Sequence, residues 1–308
     1  MSDAPGGRVL TAGSINTDLV VHVRRAPERG ETVTGSAFQI FGGGKGANQT
    51  LASVRSGAST AILGALGNDD FGRQRLADLQ LDHVDVESVA ISDHAPSGVA
   101  LITIESDGDN RISYVPGATL TVRPEAARDA VNRVRPAAIL MTLELPPETI
   151  QALIDEGRNL GATLILNATP EPAAGRDLAI QADILIVNET EALELLDWGQ
   201  DERDWESAAS ALRELGPQHI VITLGADGAY VVGRSVSTIR SPKVEVVDTT
   251  GAGDAFCGAF AAQIARGAEI EDAARVGVIA GALAVTKQGA QPSQPHWSEI
   301  ETHLKQSS

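Results

Sequence analysis

Six short apolar runs, each ending in small or polar residues, constrain the fold of this chain more than any other feature. They are "RVLTAG" (8–13), "TAILGAL" (60–66), "AAILMTL" (137–143), "TLILNA" (163–168), "DILIVN" (183–188) and "HIVITLG" (219–225). Runs this short, rich in Ile, Leu and Val, read as strands buried on both faces. Helical patterns lie between them. "PEAARDAVNRV" (124–134) and "PETIQALIDEGRNLG" (147–161) open with Pro and Glu, and "DWESAASALRELG" (204–216) stops at Gly216. Strands alternating with helices predict an α/β fold, a mostly parallel sheet covered by helices on both faces.

Two regions break the rhythm. Residues 19–40 and 98–115 alternate like half-buried strands, and "SDGDN" (106–110) is a hairpin signal. They predict a small β lid inserted into one domain spanning 1–308, since no repeat, low-complexity stretch or linker divides the chain. The tail "KQSS" is expected to fray.

A chain of 308 residues can bury a large core, and 43% hydrophobic with 21% charged residues is ordinary for a soluble protein. The net charge of −17 argues against nucleic-acid partners. The lone cysteine, Cys257, reads as a packing residue, and the absence of any intrachain disulfide suits a reducing compartment. No signal pattern opens the chain and no apolar run approaches the roughly 18 residues of a membrane span. The expected location is cytoplasmic, with no membrane partner.

In open α/β sheets, ligands bind beyond the carboxyl ends of the strands. Asn16, Asp18, Glu144, Asn188, Thr223 and Gly225 fall at such ends. "FGGGKGANQ" (41–49) is a glycine-rich turn before a helical segment. It is not a Walker A loop, because Gly46 stands where Ser or Thr would follow Lys45, and it imitates a dinucleotide fingerprint only weakly. Lys45 and Asn48 share a helix face and could grip adjacent hydroxyls of a small polyol. In "VDTTGAGDAF" (247–256), Gly251, Ala252 and Gly253 lead a helix whose start can bind an anion. Asp254 beside it suits phosphoryl transfer, taking the proton of an attacking hydroxyl. An N-cap is the alternative reading of that carboxylate.

"GGKGANQ" (43–49), "NETEA" (188–192), "DTTGAGDAF" (248–256) and "VTKQGAQPS" (285–293) together resemble the ribokinase (PfkB-type) carbohydrate kinase family, in register from "GSIN" (13–16) onwards. The resemblance implies a three-layer kinase fold and ATP-dependent phosphorylation of D-ribose at O5. It implies that Asp254 is the catalytic base and that Gly251, Ala252 and Gly253 form the anion hole. Asn16, Asp18, Gly44, Lys45, Asn48 and Glu144 would hold the sugar. Asn188 and the segment Thr223, Leu224, Gly225, Ala226, Asp227, Gly228, with Gly253, would line the ATP site. Glu191 would organise Mg2+ through water. Asp248, Thr250, Ala284, Lys287, Gly289 and Ser293 would bind K+ as an activating cation, mostly through backbone oxygens. The lid would also form a homodimer contact.

Three positions depart from the family pattern. Gly42 replaces an aromatic or apolar residue, Val278 stands where a histidine often lies near the adenine, and "PGAT" (116–119) replaces "AGAN". Kinases of deoxyribose, fructose or a nucleoside are the rival readings. A non-catalytic sugar-binding protein of the same fold, or a dinucleotide-dependent oxidoreductase, lies further off.

Overall fold

In this computed structural model, which describes residues 7–168, 175–199 and 203–306, short apolar runs become the strands of a central sheet. The chain begins β1 (Arg8–Ala12), β2 (Asn16–His22), β3 (Ala37–Gly43), α1 (Lys45–Arg55), β4 (Ser59–Gly67) and α2 (Asp70–Leu81). Next come β5 (Val89–Ser92), β6 (Gly98–Ile104), β7 (Asn110–Val115), α3 (Pro124–Val134), β8 (Ala138–Thr142), α4 (Pro147–Asn159) and β9 (Thr163–Asn167). The chain continues through α5 (Gly175–Ala179), β10 (Ile184–Asn188), α6 (Glu189–Leu196), α7 (Trp205–Leu215), β11 (His219–Thr223), β12 (Ala229–Val232) and β13 (Val236–Ile239). It ends in α8 (Ala252–Ile264), α9 (Ile270–Ala284), α10 (Ala290–Ser293) and α11 (Trp297–Gln306).

Local signals set the helix starts. Pro124 and Pro147 stand in the first turn of α3 and α4, where a missing N–H costs nothing. The side chains of Asp69 and Asp204 cap α2 and α7 by accepting from the N–H groups of Gly72 and Ser207. The expectation that the tail frays is corrected for Lys305 and Gln306. They lie in α11, where Lys305 pairs with Glu301 at 3.1 Å one turn earlier. Ser307 and Ser308 lie outside the described residues.

The large sheet runs in the order β13-β12-β11-β10-β9-β8-β1-β4-β5. From β5 to β11 every pairing is parallel, so these strands deliver their carboxyl ends to one edge. The strand period of two divides their side chains between two cores. Leu10, Ile139, Met141, Leu164 and Leu166 pack with residues of α3, α4 and α7. Val9, Ala138, Leu140, Ile165, Ile184 and Ile186 pack with Phe256 and Phe260 of α8 and Ala273 and Ala274 of α9. Cys257 is buried within this second core, as expected.

A second sheet, β3-β2-β6-β7, forms from the two regions that break the rhythm. Its first hairpin is wider than the expected 19–40, because strand pairing begins at Asn16 and continues to Gly43. Between His22 and Ala37 the chain leaves the sheet; Pro27 has no N–H for a ladder, and Gly30 takes φ 81. Directly paired residues share a face. Asn16, Asp18, Gly43, Ala100 and Tyr114 therefore lie on one side, and Leu19, Phe38, Ile40 and Leu101 on the other.

Candidate active site

The segment 248–254 enters α8 at the carboxyl edge of the large sheet. Gly251 takes the left-handed conformation, φ 78, just before the helix, and a Cβ there would approach Ala290 Cα to 2.9 Å. No side chain caps α8. Asp254, in the first turn, accepts instead from Asn48 Nδ2 at 2.9 Å and Gln49 Nε2 at 3.0 Å, both on α1. The N-cap reading of Asp254 is therefore set aside: its oxygens face another helix. At Gly253 a Cβ would meet nothing within 4 Å, so the helix start opens into free space. The Ala252 N–H makes only a long turn bond to the Thr249 carbonyl, at 3.3 Å.

On one side of this point polar side chains gather beside the small sheet. Glu144 accepts from Ser14 N at 3.1 Å, Ser14 Oγ at 2.8 Å and Thr142 Oγ1 at 3.0 Å, which anchors its carboxylate beside the start of β2. Gly44 takes φ 90, and a Cβ there would press on the Ser14 carbonyl; this close approach lets α1 begin against the end of β1. Asn16 Oδ1, Asn48 Oδ1 and Thr119 Oγ1 are buried without a protein partner. Buried polar atoms are normally paired, so such a cluster fits a hydroxyl-rich ligand.

The charges here are strongly coupled. Burial pulls the Lys45 ammonium down, but the Asp254, Glu191 and Glu144 carboxylates outweigh it and hold the group above the ordinary lysine range. Burial pushes Asp18 up to about 6, against the pull of Arg75 and with added repulsion from Asp254. Tyr114 faces the same side as Asp18, and burial with the Glu144 charge raises its phenol. At the Gly42 departure a Cβ would meet the amide end of the flexible Gln291 side chain, whose nitrogen lies 3.4 Å from the Gly43 carbonyl.

The other side is a cavity of about 610 Å³. Thr223, Gly225, Ala226, Gly228, Ala252 and Gly253 line it, as does Val278. Leu224 and Asp227 belong to the same turn but are not among its lining residues. Asn188 is exposed at the end of β10, in register with Thr223, and likewise does not line the cavity. Asn188 and Glu191 instead close a capping box on α6, each side chain accepting from the other's backbone N–H at 2.8 Å. Burial raises the Glu191 carboxyl; Lys45 and the Asn188 N–H oppose this, and Glu194 and Asp254 add to it.

The two segments expected to hold a cation do meet. The Asp248 carboxylate accepts from the Thr250 N–H at 2.9 Å, from its hydroxyl at 2.6 Å and from the Gly289 N–H at 2.8 Å. Asp248 N donates to the Val285 carbonyl at 3.2 Å. The Ala284 carbonyl accepts from the Lys287 N–H at 3.2 Å, and the buried Ser293 hydroxyl donates to the Ala290 carbonyl at 2.9 Å. The Lys287 ammonium turns away to Glu299, at 2.8 Å.

Sequence reasoning missed Gln49 and Asn167, which lie behind Asp254, and Tyr114, near Glu144 and Asn16. It also missed Ser241 to Val244 and Val246, which form a wall of the large cavity. Gln49 carried a readable signal, since it follows Asn48 on the glycine-led helix. The 241–246 wall carried none, being an irregular segment without a motif.

The model of the pfkB family carbohydrate kinases matches residues 7–297. The chain is 34% identical to the ribokinase of Staphylococcus aureus over 301 residues, covering 95% of this chain and 98% of the relative. It is 35% identical to that of Bacillus subtilis over 298 residues, covering 96% and 99%. The structure of Arabidopsis thaliana ribokinase complexed with ribose and ATP superposes with a TM-score of 0.88 at 28% identity, covering 97% of this chain and 99% of that one.

Proposed function

Because the chain belongs to the pfkB family of carbohydrate kinases, we propose that it transfers the terminal phosphoryl group of ATP to O5 of D-ribose. The observation that carries the reading is the place of Asp254. Its carboxylate is buried and held by two side-chain amides beside an uncapped helix start, with a cluster of polar side chains on one side and the large cavity on the other. The sugar lies among these side chains, its hydroxyls meeting Asn16, Asp18, Lys45, Asn48 and Glu144, with Gly44 giving its backbone room to approach. The orphaned oxygens of Asn16 and Asn48 support this. ATP lies in the cavity along Thr223 to Gly228, with Asn188 at its rim.

Asp254 accepts the O5 proton as O5 attacks the γ-phosphorus, and ADP leaves. The N–H groups of Gly251, Ala252 and Gly253 stabilise the phosphoryl oxygens without reorganising. Lys45, drawn to Asp254, Glu191 and Glu144 together, keeps these carboxylates from repelling one another and the phosphates.

Glu191 would hold Mg2+ through water, and the ion would neutralise charge on the phosphates. A buried carboxyl raised by its surroundings gains from a nearby cation, while its commitment to the capping box leaves little room for direct ligation. Among the described residues no group of three His, Cys, Asp or Glu forms a dedicated metal cage. That accords with an ion held by one carboxylate and the nucleotide. Asp248, Thr250, Ala284, Lys287, Gly289 and Ser293 would hold K+, whose binding would order the 248–254 loop. The meeting of both segments at Asp248 supports this.

The small sheet is the lid, and its outer face joins two copies. Phe38, Ile40, Leu101 and Val115 are 62%, 51%, 51% and 52% exposed there, an apolar row that a second copy would cover. Among the described residues no helix is long and apolar enough to cross a membrane, and a cytoplasmic location goes with this reading.

A panel of ribose, deoxyribose, fructose and nucleosides in a coupled ADP-release assay tests the substrate. Ribose should give the highest kcat/KM. A nucleoside or fructose outranking it by tenfold would overturn the assignment of the sugar while keeping the reaction class.

A further inference from the structure

Behind Asp254 lies a second row of buried amides that does not line the cavity. Asn167 ends β9 and is 7% exposed; Gln49 on α1 is 1% exposed. Asn167 Nδ2 lies 3.3 Å from the Ile186 carbonyl and 3.5 Å from that of Ala168, and backbone carbonyls can only accept. The Asn167 NH2 must therefore face the backbone, and its Oδ1 must face Gln49. That oxygen accepts from Gln49 Nε2 at 2.9 Å, and the same nitrogen donates its other hydrogen to Asp254 Oδ1 at 3.0 Å. Were the Gln49 amide turned over, its oxygen would oppose two acceptors at once.

We propose that Asn167 and Gln49 form a positioning relay by which the backbone of the central sheet dictates the orientation of the Asp254 carboxylate. Asn48 holds Oδ2 at 2.9 Å and Gln49 holds Oδ1, so each carboxylate oxygen keeps a free lone pair for a substrate hydroxyl. Of the two amides, Asn48 keeps a buried oxygen without a partner, suited to a ligand hydroxyl. Gln49 is enclosed and acts only through Asp254. The packing that brings α1 onto α8 serves the same end: at Gly258, one helical turn after Asp254, a Cβ would overlap the Gln49 carbonyl. A base held in the reactive geometry before substrate arrives saves that ordering in the transition state.

The relay rests on the reading of Asp254 as the base, so Asp254→Asn is the control. Gln49→Met keeps the volume and removes the donor; Asn167→Ser shortens the relay and carries the same readout where Gln49→Met folds poorly. Each variant is assayed for kcat, for ribose and ATP KM, and for melting temperature. With geometry lost but binding groups intact, kcat should fall about 10–100-fold while both KM values stay within about threefold. The double variant should fall no further than Gln49→Met alone, because the two residues act in series. Parental kcat in both single variants, with Asp254→Asn inactive, would overturn the relay and leave the base assignment standing. A raised ribose KM with unchanged kcat would also overturn it, by assigning Gln49 to the sugar. An active Asp254→Asn enzyme would overturn both.

Discussion

Replacing Asp18 with asparagine should make the ligand-free protein more stable at neutral pH and poorer at holding its sugar. Burial displaces the Asp18 carboxyl from the ordinary 3.8 to about 6. At about 1.4 kcal/mol per pH unit, a displacement of this size corresponds to roughly 3 kcal/mol. Between pH 3.8 and about 6 the folded protein keeps a proton that the unfolded chain has released. Stability therefore falls as pH rises through that window and stays at the lower level above it. Asparagine never charges, but its amide still loses water on burial, so the net gain at pH 7.5 should be about 1–2 kcal/mol. For a chain of this size, at about 2.1 cal/mol/K per residue, that is a rise in melting temperature of roughly 1.5–3 °C. Calorimetry without sugar at pH 4 and pH 7.5 reads it: the variant should match the parent at pH 4 and exceed it at pH 7.5. A melting difference that is the same at both pH values would refute the reasoning. Loss of a charged acceptor should also weaken ribose binding about 10–100-fold.

Gly253→Val should fold normally, since a side chain there meets nothing within 4 Å, yet it should raise the ATP Kd at least about tenfold by filling the anion-binding helix start; unchanged ATP binding would move the phosphates elsewhere. K+ should raise kcat or lower KM at fixed Mg2+ with Na+ less effective, and equal rates in K+, Na+ and a bulky organic cation at matched ionic strength would dismiss the cation site. Leu101→Glu, which places a charge in the exposed apolar row, should shift a dimer to monomer in sedimentation while sparing the fold; an unchanged sedimentation coefficient would place any dimer contact elsewhere.

Much of the architecture was legible in the chain itself, because it rests on short-range physics. The apolar runs at 60–66 and 183–188 became β4 and β10 within a residue or so, and Pro124 and Pro147 opened their helices as their fixed φ dictates. The small sheet was legible too, though not its limits. Pairing at Asn16 and Gly43 depends on which strand lies opposite, which no local pattern states. The glycine-led segments at 41–49 and 248–254 stood out as candidate sites because glycine permits close backbone approach wherever it falls.

What only the tertiary structure decided is the company each residue keeps. Asp254 could be read from sequence as a cap or a base; Asn48 and Gln49, some two hundred positions earlier, arrive at 2.9 and 3.0 Å, engage its oxygens and set the cap aside. Asn167 looked like an ordinary strand end until β10 placed the Ile186 carbonyl against its amide. Asp18 became a carboxyl near 6 only because the fold buried it and set Asp254 near it, which together outweigh the pull of Arg75. Sequence determines what a residue can do through bond geometry and local propensity. Burial, charge and hydrogen-bond partners decide which of those things it does, and they are set by chain segments that meet only when the sheet has formed.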